Sequence, residues 1–307
     1  MKRALELAER GRTTTHPNPV VGAVLVRDGD VVGEGWHERK GGPHAEIVAL
    51  DAAGERARGA TLYVTMEPCA HHGTTPPCTD ALIAAGVAKV VAGSRDPNSE
   101  AAGGFEVLRA AGIAVEDVDS FAARAQNEAW RTWVSERRPF VILKLALTLD
   151  GRVAAPSSRW ISGEQSRRRV HELRAQVDAV AVGMGTVRAD APQLTARDVG
   201  AARQPRRLAF GHGPTELELR SGPLDEELRA LAGEGVQSLL LEGGPTLAAS
   251  FLRAGLVDKV LLFVTPRIAG EGLLFAPELE QPLALSRPSA EQIGDDLLWT
   301  GYVHEPR

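Results

Sequence analysis

Two successive runs of short apolar strands and amphipathic helices are the feature that most limits what this chain can fold into. The first run predicts strands at 20–26, 31–34, 61–65, 89–92 and 113–115, with helices at 2–10, 44–53, 78–85 and 105–111. The second predicts strands at 140–147, 177–183, 208–210, 238–241 and 259–264, with helices at 163–176, 224–232 and 243–254. Such alternation predicts mainly parallel sheets covered by helices.

A polar segment that ends at Pro139 separates the two runs. The chain has 307 residues, and a typical domain has about 150. We therefore predict two α/β domains, at residues 1–136 and 137–307. Residues 196–206 and 211–223, which are rich in Gly, Pro and Arg, are predicted to be loops.

Charge and hydropathy narrow the functional class. The formal net charge is −5, whereas dedicated nucleic-acid binders usually carry a basic excess. No apolar run approaches the roughly 18–20 residues of a membrane span, and the amino-terminal segment is amphipathic rather than secretory. We expect a cytoplasmic protein with no nucleic-acid or membrane partner, although local basic patches can still hold a phosphorylated small molecule.

One histidine and the chain's only two cysteines form a candidate zinc site. Catalytic zinc takes three protein ligands and keeps a fourth position for water, and His44, Cys69 and Cys78 offer one nitrogen and two sulfurs. Glu46 follows His44 at the H-x-E spacing of zinc deaminases, in which a carboxylate outside the metal shell moves protons. A Cys69–Cys78 disulfide is the less favoured interpretation in a reducing compartment.

The predicted local structure agrees with this chemistry. His44 and Glu46 begin one helix, Cys69 follows a strand, and Cys78 begins another helix after two prolines. Helix amino termini lower thiol pKa values and favour the thiolate that binds metal.

Two alternatives remain open at this site. A purely structural zinc can take His71 or His72 as a fourth ligand; otherwise these histidines line a substrate pocket. Glu67 is the rival carboxylate, and for it a role as partner of backbone N–H groups is favoured.

Several motifs carry a family resemblance. They are His16-Pro17-Asn18-Pro19, Gly42-Pro43-His44-Ala45-Glu46, Glu67-Pro68-Cys69-Ala70-His71-His72-Gly73, Thr75-Pro76-Pro77-Cys78 and Asp96-Pro97-Asn98. The chain resembles the bifunctional deaminase–reductases of riboflavin biosynthesis over nearly its whole length. The eight-residue loop between the cysteines, with its His-His-Gly, distinguishes this family from cytidine and tRNA adenosine deaminases.

The resemblance implies a cytidine-deaminase-like αβα domain followed by a dihydrofolate-reductase-like α/β domain. The first would use Zn²⁺ and Glu46 to remove an exocyclic amine from a diaminopyrimidinone that carries a ribosylamino 5-phosphate, with Asn18 bound to the base. The second would use NADPH to reduce the ring-opened ribosyl group to a ribityl side chain. A homodimer formed through the reductase half is also implied.

Further segments extend the resemblance into the second half. They are Lys144-Leu145-Ala146-Leu147-Thr148-Leu149-Asp150-Gly151-Arg152, Ser158-Arg159-Trp160-Ile161-Ser162, Leu173-Arg174-Ala175, Val182-Gly183-Met184-Gly185-Thr186-Val187-Arg188-Ala189-Asp190 and Pro192-Gln193-Leu194-Thr195. The implied NADPH contacts are Ala146, Trp160, Thr186, Asp190, Gly243, Gly244, Pro245, Thr246 and Leu247. The implied substrate contacts are Ser158, Arg174, Leu194, Arg197 and Glu242.

Without the resemblance, the residues of the second half give only weak evidence for a binding site. A glycine turn between a strand and a helix can approach a phosphate, but it is more often only a turn, and G-x-G-x-x-G is not present. Trp160 can equally be a core residue, and Arg174 a solvated helix residue.

The chain also departs from the family pattern. Thr74 and Gly104 stand where cations are usual, Ala191 replaces an acidic residue, Gly211-His212 replaces a serine, and segment 198–223 is short. A relative with one working half, or one that acts on a related pyrimidine, is therefore the alternative function. A nucleic-acid base deaminase and a non-enzymatic zinc-stabilised binding protein are the alternatives from other functional classes.

Overall fold

The structure, a computed structural model, describes residues 1–71, 76–154 and 160–307. The predicted positions His72, Thr74 and Ser158 lie outside these residues. The chain forms two compact units, residues 1–136 with 306–307 and residues 137–305. Within the described residues, no helix combines the length and apolarity needed to cross a membrane.

The first unit is a five-stranded sheet covered by helices. Its helices are α1 (Lys2–Glu9), α2 (Ala45–Ala53), α3 (Cys78–Ala85), α4 (Gly104–Ala110), α5 (Phe121–Gln126) and α6 (Glu128–Glu136), with a 3-10 helix at Gly54–Ala57. Its strands are β1 (Gly22–Arg27), β2 (Asp30–Trp36), β3 (Thr61–Val64), β4 (Lys89–Ala92) and β5 (Ala114–Asp117), in the order β2-β1-β3-β4-β5. β1 is antiparallel to β2 and β3, whereas β3, β4 and β5 are parallel.

Close packing of α2 against β2 places the beginning of this helix. A Cβ atom on Gly33 would lie 2.2 Å from the Ala49 carbonyl oxygen, and one on Gly35 would lie 2.5 Å from the Ala45 carbonyl oxygen. Only glycine allows two backbones to come so close. The contact holds α2 directly on the sheet, and the first turn of α2 carries Glu46.

The second unit is built on an eight-stranded sheet. Its helices are α7 (Glu164–Gln176), α8 (Met184–Asp190), α9 (Leu224–Gly233) and α10 (Pro245–Arg253). Its strands are β6 (Phe140–Leu147), β7 (Arg152–Ala154), β8 (Ala179–Gly183), β9 (Arg206–Phe210), β10 (Glu218–Arg220), β11 (Ser238–Leu241), β12 (Lys259–Val264), β13 (Leu273–Leu274), β14 (Ser286–Ile293) and β15 (Asp296–Tyr302). The sheet order is β10-β9-β8-β11-β6-β12-β15-β14, and β7 pairs with β13.

The six strands from β10 to β12 are parallel, and β15 and β14 continue the sheet in antiparallel pairing. β8 and β11 are buried along nearly their whole length, as expected for parallel strands covered on both faces. Their carboxyl ends meet at one edge of the sheet, where α8 and α10 begin. Ligands of open α/β sheets bind at this kind of edge.

Some sequence expectations were wrong. The sheet of the first unit is mixed rather than mainly parallel, because β1 is antiparallel to both of its neighbours. Segment 211–223, predicted to be a loop, contains β10, a short strand that forms by pairing with β9. The alternating pattern also missed α5, α6, β14 and β15. The residues of β14 are almost all exposed or half-exposed, so that strand has no buried face to produce a pattern.

Candidate active site

His44, Cys69 and Cys78 lie together in the first unit. Their ligand atoms all lie within 4.8 Å of one another. His44 Nδ1 is 3.2 Å from Cys78 Sγ and 3.5 Å from Cys69 Sγ. Both cysteines are buried and free, so the disulfide alternative is wrong.

Helix ends and one loop assemble this group. His44 is the residue before α2, Cys78 is the first residue of α3, and Cys69 lies in the loop after β3. The Cys78 N–H group, which has no partner within its helix, donates to Cys69 Sγ at 3.4 Å. The amino terminus of α3 therefore stabilises negative charge on the Cys69 sulfur.

The pKa values of the two thiols are shifted in opposite directions. Hydrogen bonding from the Cys78 thiol, with a smaller contribution from His44, lowers the pKa of Cys69 to about 4. Donation to Cys69, together with burial, raises the pKa of Cys78. The lowered pKa favours the thiolate form of Cys69, and Cys78 would lose its proton on binding a metal. One imidazole nitrogen and two buried sulfurs are a donor set that fits zinc.

Glu46 is buried in the first turn of α2, beside this group. Burial raises its pKa. A carboxyl group whose pKa is shifted toward neutrality can both accept and donate a proton at working pH.

A cavity of about 380 Å³ opens onto the metal-binding group. It is lined by Pro17, Asn18, Pro19, Val21, His37, His44, Ala45, Glu46, Met66, Glu67, Cys69, His71, Asp96, Asn98, Ala101, Trp130, Trp133 and Val134. The predicted base contact Asn18 and the predicted loop residues Asp96 and Asn98 are among them. His71 lines this cavity too, and it is not part of the three-residue metal-binding group.

His37 is a cavity residue that the motifs did not reveal. It is buried, its Nδ1 lies 3.0 Å from the Pro43 carbonyl oxygen, and its Nε2 lies 3.2 Å from Asn18 Nδ2. Burial lowers its pKa, which favours the neutral ring. With Nδ1–H donating to Pro43, Nε2 accepts from the Asn18 amide and sets the orientation of that amide. A lone histidine at the end of β2 gave no signal in the sequence.

Glu67 is a partner of backbone N–H groups, as predicted. Its carboxylate accepts from Asp96 at 3.2 Å, from Gly103 at 3.2 Å and from Phe105 at 3.1 Å. These bonds tie the loop that carries Cys69 to the loop that carries Asp96. Burial, with repulsion from Glu67, raises the pKa of Asp96 to about 6.

Close packing explains why residue 104 is a glycine. A Cβ atom on Gly104 would lie 1.9 Å from the Pro68 carbonyl oxygen. The backbone of α4 therefore lies directly against the segment before Cys69, and a side chain here would displace it. The arginine that the family pattern suggests at this position does not fit this packing.

The predicted cofactor residues of the second unit gather near the carboxyl edge of the sheet. Ala146 lies near the end of β6, Thr186 and Asp190 lie on α8, and residues 243–247 join β11 to α10. Thr186 Oγ1 lies 3.4 Å from the position that a Gly244 Cβ would take, so α8 and the glycine turn are neighbours. The N-cap residue of α10 is Gly244, which has no side chain to bond the N–H groups of the first turn.

Trp160 is not a core residue, because it is 53% exposed. The Arg167 guanidinium lies 5.1 Å from the centre of its ring. The indole is thus exposed and does not belong to the hydrophobic core.

Arg174, Glu242 and Lys144 form a largely buried charged cluster. Arg174 donates to the Glu242 carboxylate at 2.6 and 3.0 Å, and Lys144 Nζ lies 3.5 Å from it. Burial acts to raise the pKa of Glu242, but the neighbouring Lys144 and Arg174 charges hold it below its usual value. Arg174 is therefore not a solvated helix residue. Lys144 was missed as a site residue; a lysine within an otherwise apolar strand was its signal.

Leu194 and Arg197 differ in how they meet this region. The Leu194 side chain is buried in a hydrophobic cluster with φ of +55°, so only its backbone remains for a ligand. The Arg197 side chain donates to Gln193 and Thr195 at the surface. The Thr195 carbonyl accepts from Arg174 at 3.2 Å, which ties this loop to α7.

Comparisons with known proteins cover both units. Residues 1–94 match the cytidine and deoxycytidylate deaminase zinc-binding region, and residues 139–299 match the RibD C-terminal domain. The riboflavin biosynthesis protein RibD of Aquifex aeolicus is 40% identical over 97% of this chain and 96% of its own.

Solved structures give the same result. Acinetobacter baumannii RibD is similar with a TM-score of 0.84 and 36% identity, over 98% of this chain and 97% of that one. The diaminohydroxyphosphoribosylaminopyrimidine deaminase/5-amino-6-(5-phosphoribosylamino)uracil reductase of Thermotoga maritima has the same TM-score of 0.84, identity of 36% and coverage of 98% and 97%. The fold is thus a cytidine-deaminase-like domain followed by a RibD reductase domain, and the chain belongs to the RibD family of bifunctional deaminases and reductases of riboflavin biosynthesis.

Proposed function

We propose that this chain deaminates a diaminopyrimidinone carrying a ribosylamino 5-phosphate and then reduces the ribosyl group to a ribityl group with NADPH. The deaminase domain would comprise residues 1–136 and the reductase domain residues 137–307. The observation that carries the proposal is the cavity in which the His44, Cys69 and Cys78 donors and Glu46 meet.

In the deaminase domain, His44, Cys69 and Cys78 would hold zinc. When bound, zinc supplies a Lewis acid that lowers the pKa of water to near neutrality. Glu46 would accept a proton from the attacking water and deliver protons to the ring and the departing ammonia, a role that its raised pKa supports. Asn18, oriented by His37, would bind the base.

In the reductase domain, the turn Gly243, Gly244, Pro245, Thr246 and Leu247 would bind a cofactor phosphate. The glycine N-cap of α10 supports this, because Gly244 has no side chain to compete with a phosphate for the N–H groups of the helix start. Ala146, Trp160, Thr186 and Asp190 would make the remaining NADPH contacts. NADPH supplies the hydride, and the protein supplies position and charge.

The charged cluster would bind the phosphorylated substrate. Arg174 and Lys144 bring two positive charges to the one negative charge of Glu242, which leaves a cationic excess in a buried place. Arg197, the backbone of Leu194, and Ser158 complete the proposed substrate contacts. A homodimer and a cytoplasmic location are part of the same proposal.

A coupled assay tests the function. The diaminopyrimidinone phosphate is incubated with and without NADPH, and the products are identified by mass. We expect the deaminated ribosyl product without NADPH and the deaminated ribityl product with it. Unchanged substrate in both reactions would contradict the proposal.

The variant Glu46→Gln provides the control for the first step. It should keep one zinc per chain and release no ammonia, while still reducing substrate that is supplied already deaminated. Ammonia release at the wild-type rate would contradict the role of Glu46.

A further inference from the structure

Helix α6 helps to form the deaminase cavity although it carries none of the metal-binding motif. Trp130, Trp133 and Val134 of this helix line the cavity. The match to the zinc-binding region ends at residue 94, well before the helix begins. The chemistry proposed above therefore leaves the contribution of α6 unexplained.

Asn127, the residue before α6, grips one loop of the cavity. Its Oδ1 accepts from the Val20 N–H group at 2.9 Å, and its Nδ2 donates to the Val20 carbonyl at 2.9 Å. Asn127 is buried. Its side-chain amide accepts one bond from Val20 and donates one to it, as a neighbouring β-strand would. Because both bonds are short and directional, they leave Val20 little freedom. Val20 follows Asn18 and Pro19, which line the cavity.

The direction of the Asn127 side chain is itself set by two helices. Its N–H group donates to the Arg124 carbonyl at 3.1 Å, which closes α5. Its carbonyl accepts from the Arg131 N–H group at 2.9 Å, which begins α6. The side chain that bonds Val20 therefore extends from the junction of α5 and α6, where backbone hydrogen bonds hold Asn127.

Arg131, one turn further on, grips a second loop. Its Nη1 donates to the Arg95 carbonyl at 2.9 Å and to Ser94 Oγ at 3.4 Å, and the side chain is buried. Asp96, which lines the cavity, comes directly after Arg95. One helix thus holds both the loop that carries Asn18 and the loop that carries Asp96 and Asn98.

We propose that Asn127 and Arg131 are positioning residues of the deaminase, which hold these two loops at the separation required to bind the pyrimidine base. Neither residue lines the cavity, so each acts through the loop that it holds. The inference rests on the proposed deamination in this cavity. It adds α6 as the element that sets how well the base is bound.

Steady-state deamination by Asn127→Asp tests the proposal. Aspartate keeps an acceptor for the Val20 N–H group but loses the donor to the Val20 carbonyl. We expect KM for the diaminopyrimidinone phosphate to rise about tenfold and kcat to fall less than about threefold, because ground-state binding is what the loop provides. Zinc per chain should not change, since the metal ligands lie on other elements. Asn127→Ala, which loses both bonds, should raise KM further; if that variant does not fold, the aspartate variant decides.

Gln126→Ala is the matched control. Gln126 is the adjacent residue, and its Nε2 donates to the Leu5 carbonyl at 2.8 Å and to Glu9 Oε1 at 2.7 Å, two bonds that point toward α1 instead of the cavity. Its KM should equal that of the wild type. A KM for Asn127→Asp within twofold of the wild type, or an equal rise in Gln126→Ala, would overturn the inference. A wild type that releases no ammonia would overturn the proposed deamination itself, and this inference with it.

Discussion

The candidate sites of the two units are assembled in different ways. In the first unit, the metal-binding donors and Glu46 lie within 35 residues of sequence and are joined by direct contacts among themselves. In the second unit, Lys144, Arg174 and Glu242 come from a strand, a helix and a turn that are far apart in sequence. A site of the first kind can be recognised as a motif, whereas a site of the second kind exists only once the sheet has formed.

The largest expected effect separates the two sites. Cys69→Ser should lose zinc and lower deamination by at least about 10³-fold, because a metal site with one thiolate removed binds zinc far less tightly. Reduction of substrate supplied already deaminated should stay within about twofold of the wild type. Zinc analysis and the two separate assays check this.

His71→Asn is the control for that experiment. It should keep one zinc per chain, because His71 lies outside the three-residue metal-binding group. Loss of zinc in this variant would support the structural-zinc alternative.

The next effect concerns the dispersed site. Glu242→Gln leaves the largely buried Lys144 and Arg174 charges without this counter-charge, so reduction should fall by about 10²-fold while deamination is unchanged. Glu234→Gln is the matched control, since Glu234 also pairs with two cationic side chains, those of Arg206 and Arg220, but at the surface. Its reductase activity should be that of the wild type. Equal losses in both variants would show that the buried cluster has no special role.

A pH experiment sharpens the description of the first site. The folded pKa of Asp96, about 6, lies above its ordinary value of 3.8. Between these two values the folded state binds more protons than the unfolded state, so this group lowers stability as pH rises through them. Asp96→Asn should therefore stabilise the first unit above pH 6 by roughly 1–3 kcal/mol and have little effect near pH 4.

Thermal unfolding above pH 6 and near pH 4, with zinc present throughout, measures the difference in stability between Asp96→Asn and the wild type. Equal stabilisation at the two values would contradict the raised pKa. Because Asp96 lines the cavity, deamination should fall in the same variant. Stability gained with activity lost is the expected signature of a group held ionised for function.

The smallest effect lies in the second unit, at the end of α8. Ala191 has φ of +42° and ψ of +57°, a left-handed conformation that disfavours residues with a Cβ atom. Ala191→Gly should stabilise this unit by about 0.5–1 kcal/mol in denaturant unfolding. Ala189→Gly, inside the same helix, should destabilise it by a similar amount. The same sign for both variants would contradict the explanation.

Much of the fold followed from hydrophobic periodicity. The strands that became β3, β4, β6, β11 and β12 were predicted because their buried residues form continuous or alternating apolar runs. β15 was missed although it is largely buried, and β14 was missed because it presents almost no buried face. Asp28 and Gly29, which join β1 to antiparallel β2, both have positive φ, as the residue types preferred in tight hairpin turns allow.

Part of the candidate deaminase site could also be predicted from the sequence. His44, Glu46, Cys69 and Cys78 follow the order and spacing of a known zinc-deaminase motif. His37 and Asn127 act through hydrogen bonds to residues that no sequence spacing identifies. The backbone role of Glu67 was predicted, but its three acceptor bonds depend on where α4 begins.

The amino-acid sequence by itself determined the two-unit α/β organisation, the donor set for zinc and the family. The reason is that local periodicity and ligand chemistry depend only on the types of residue and on their spacing along the chain. Only the tertiary structure decided the pairing of Lys144 and Arg174 with Glu242, the grip of Asn127 on Val20, and the need for glycine at 104. These contacts join residues 36 to 107 positions apart or depend on how closely two backbones approach, and neither is expressed in any local pattern.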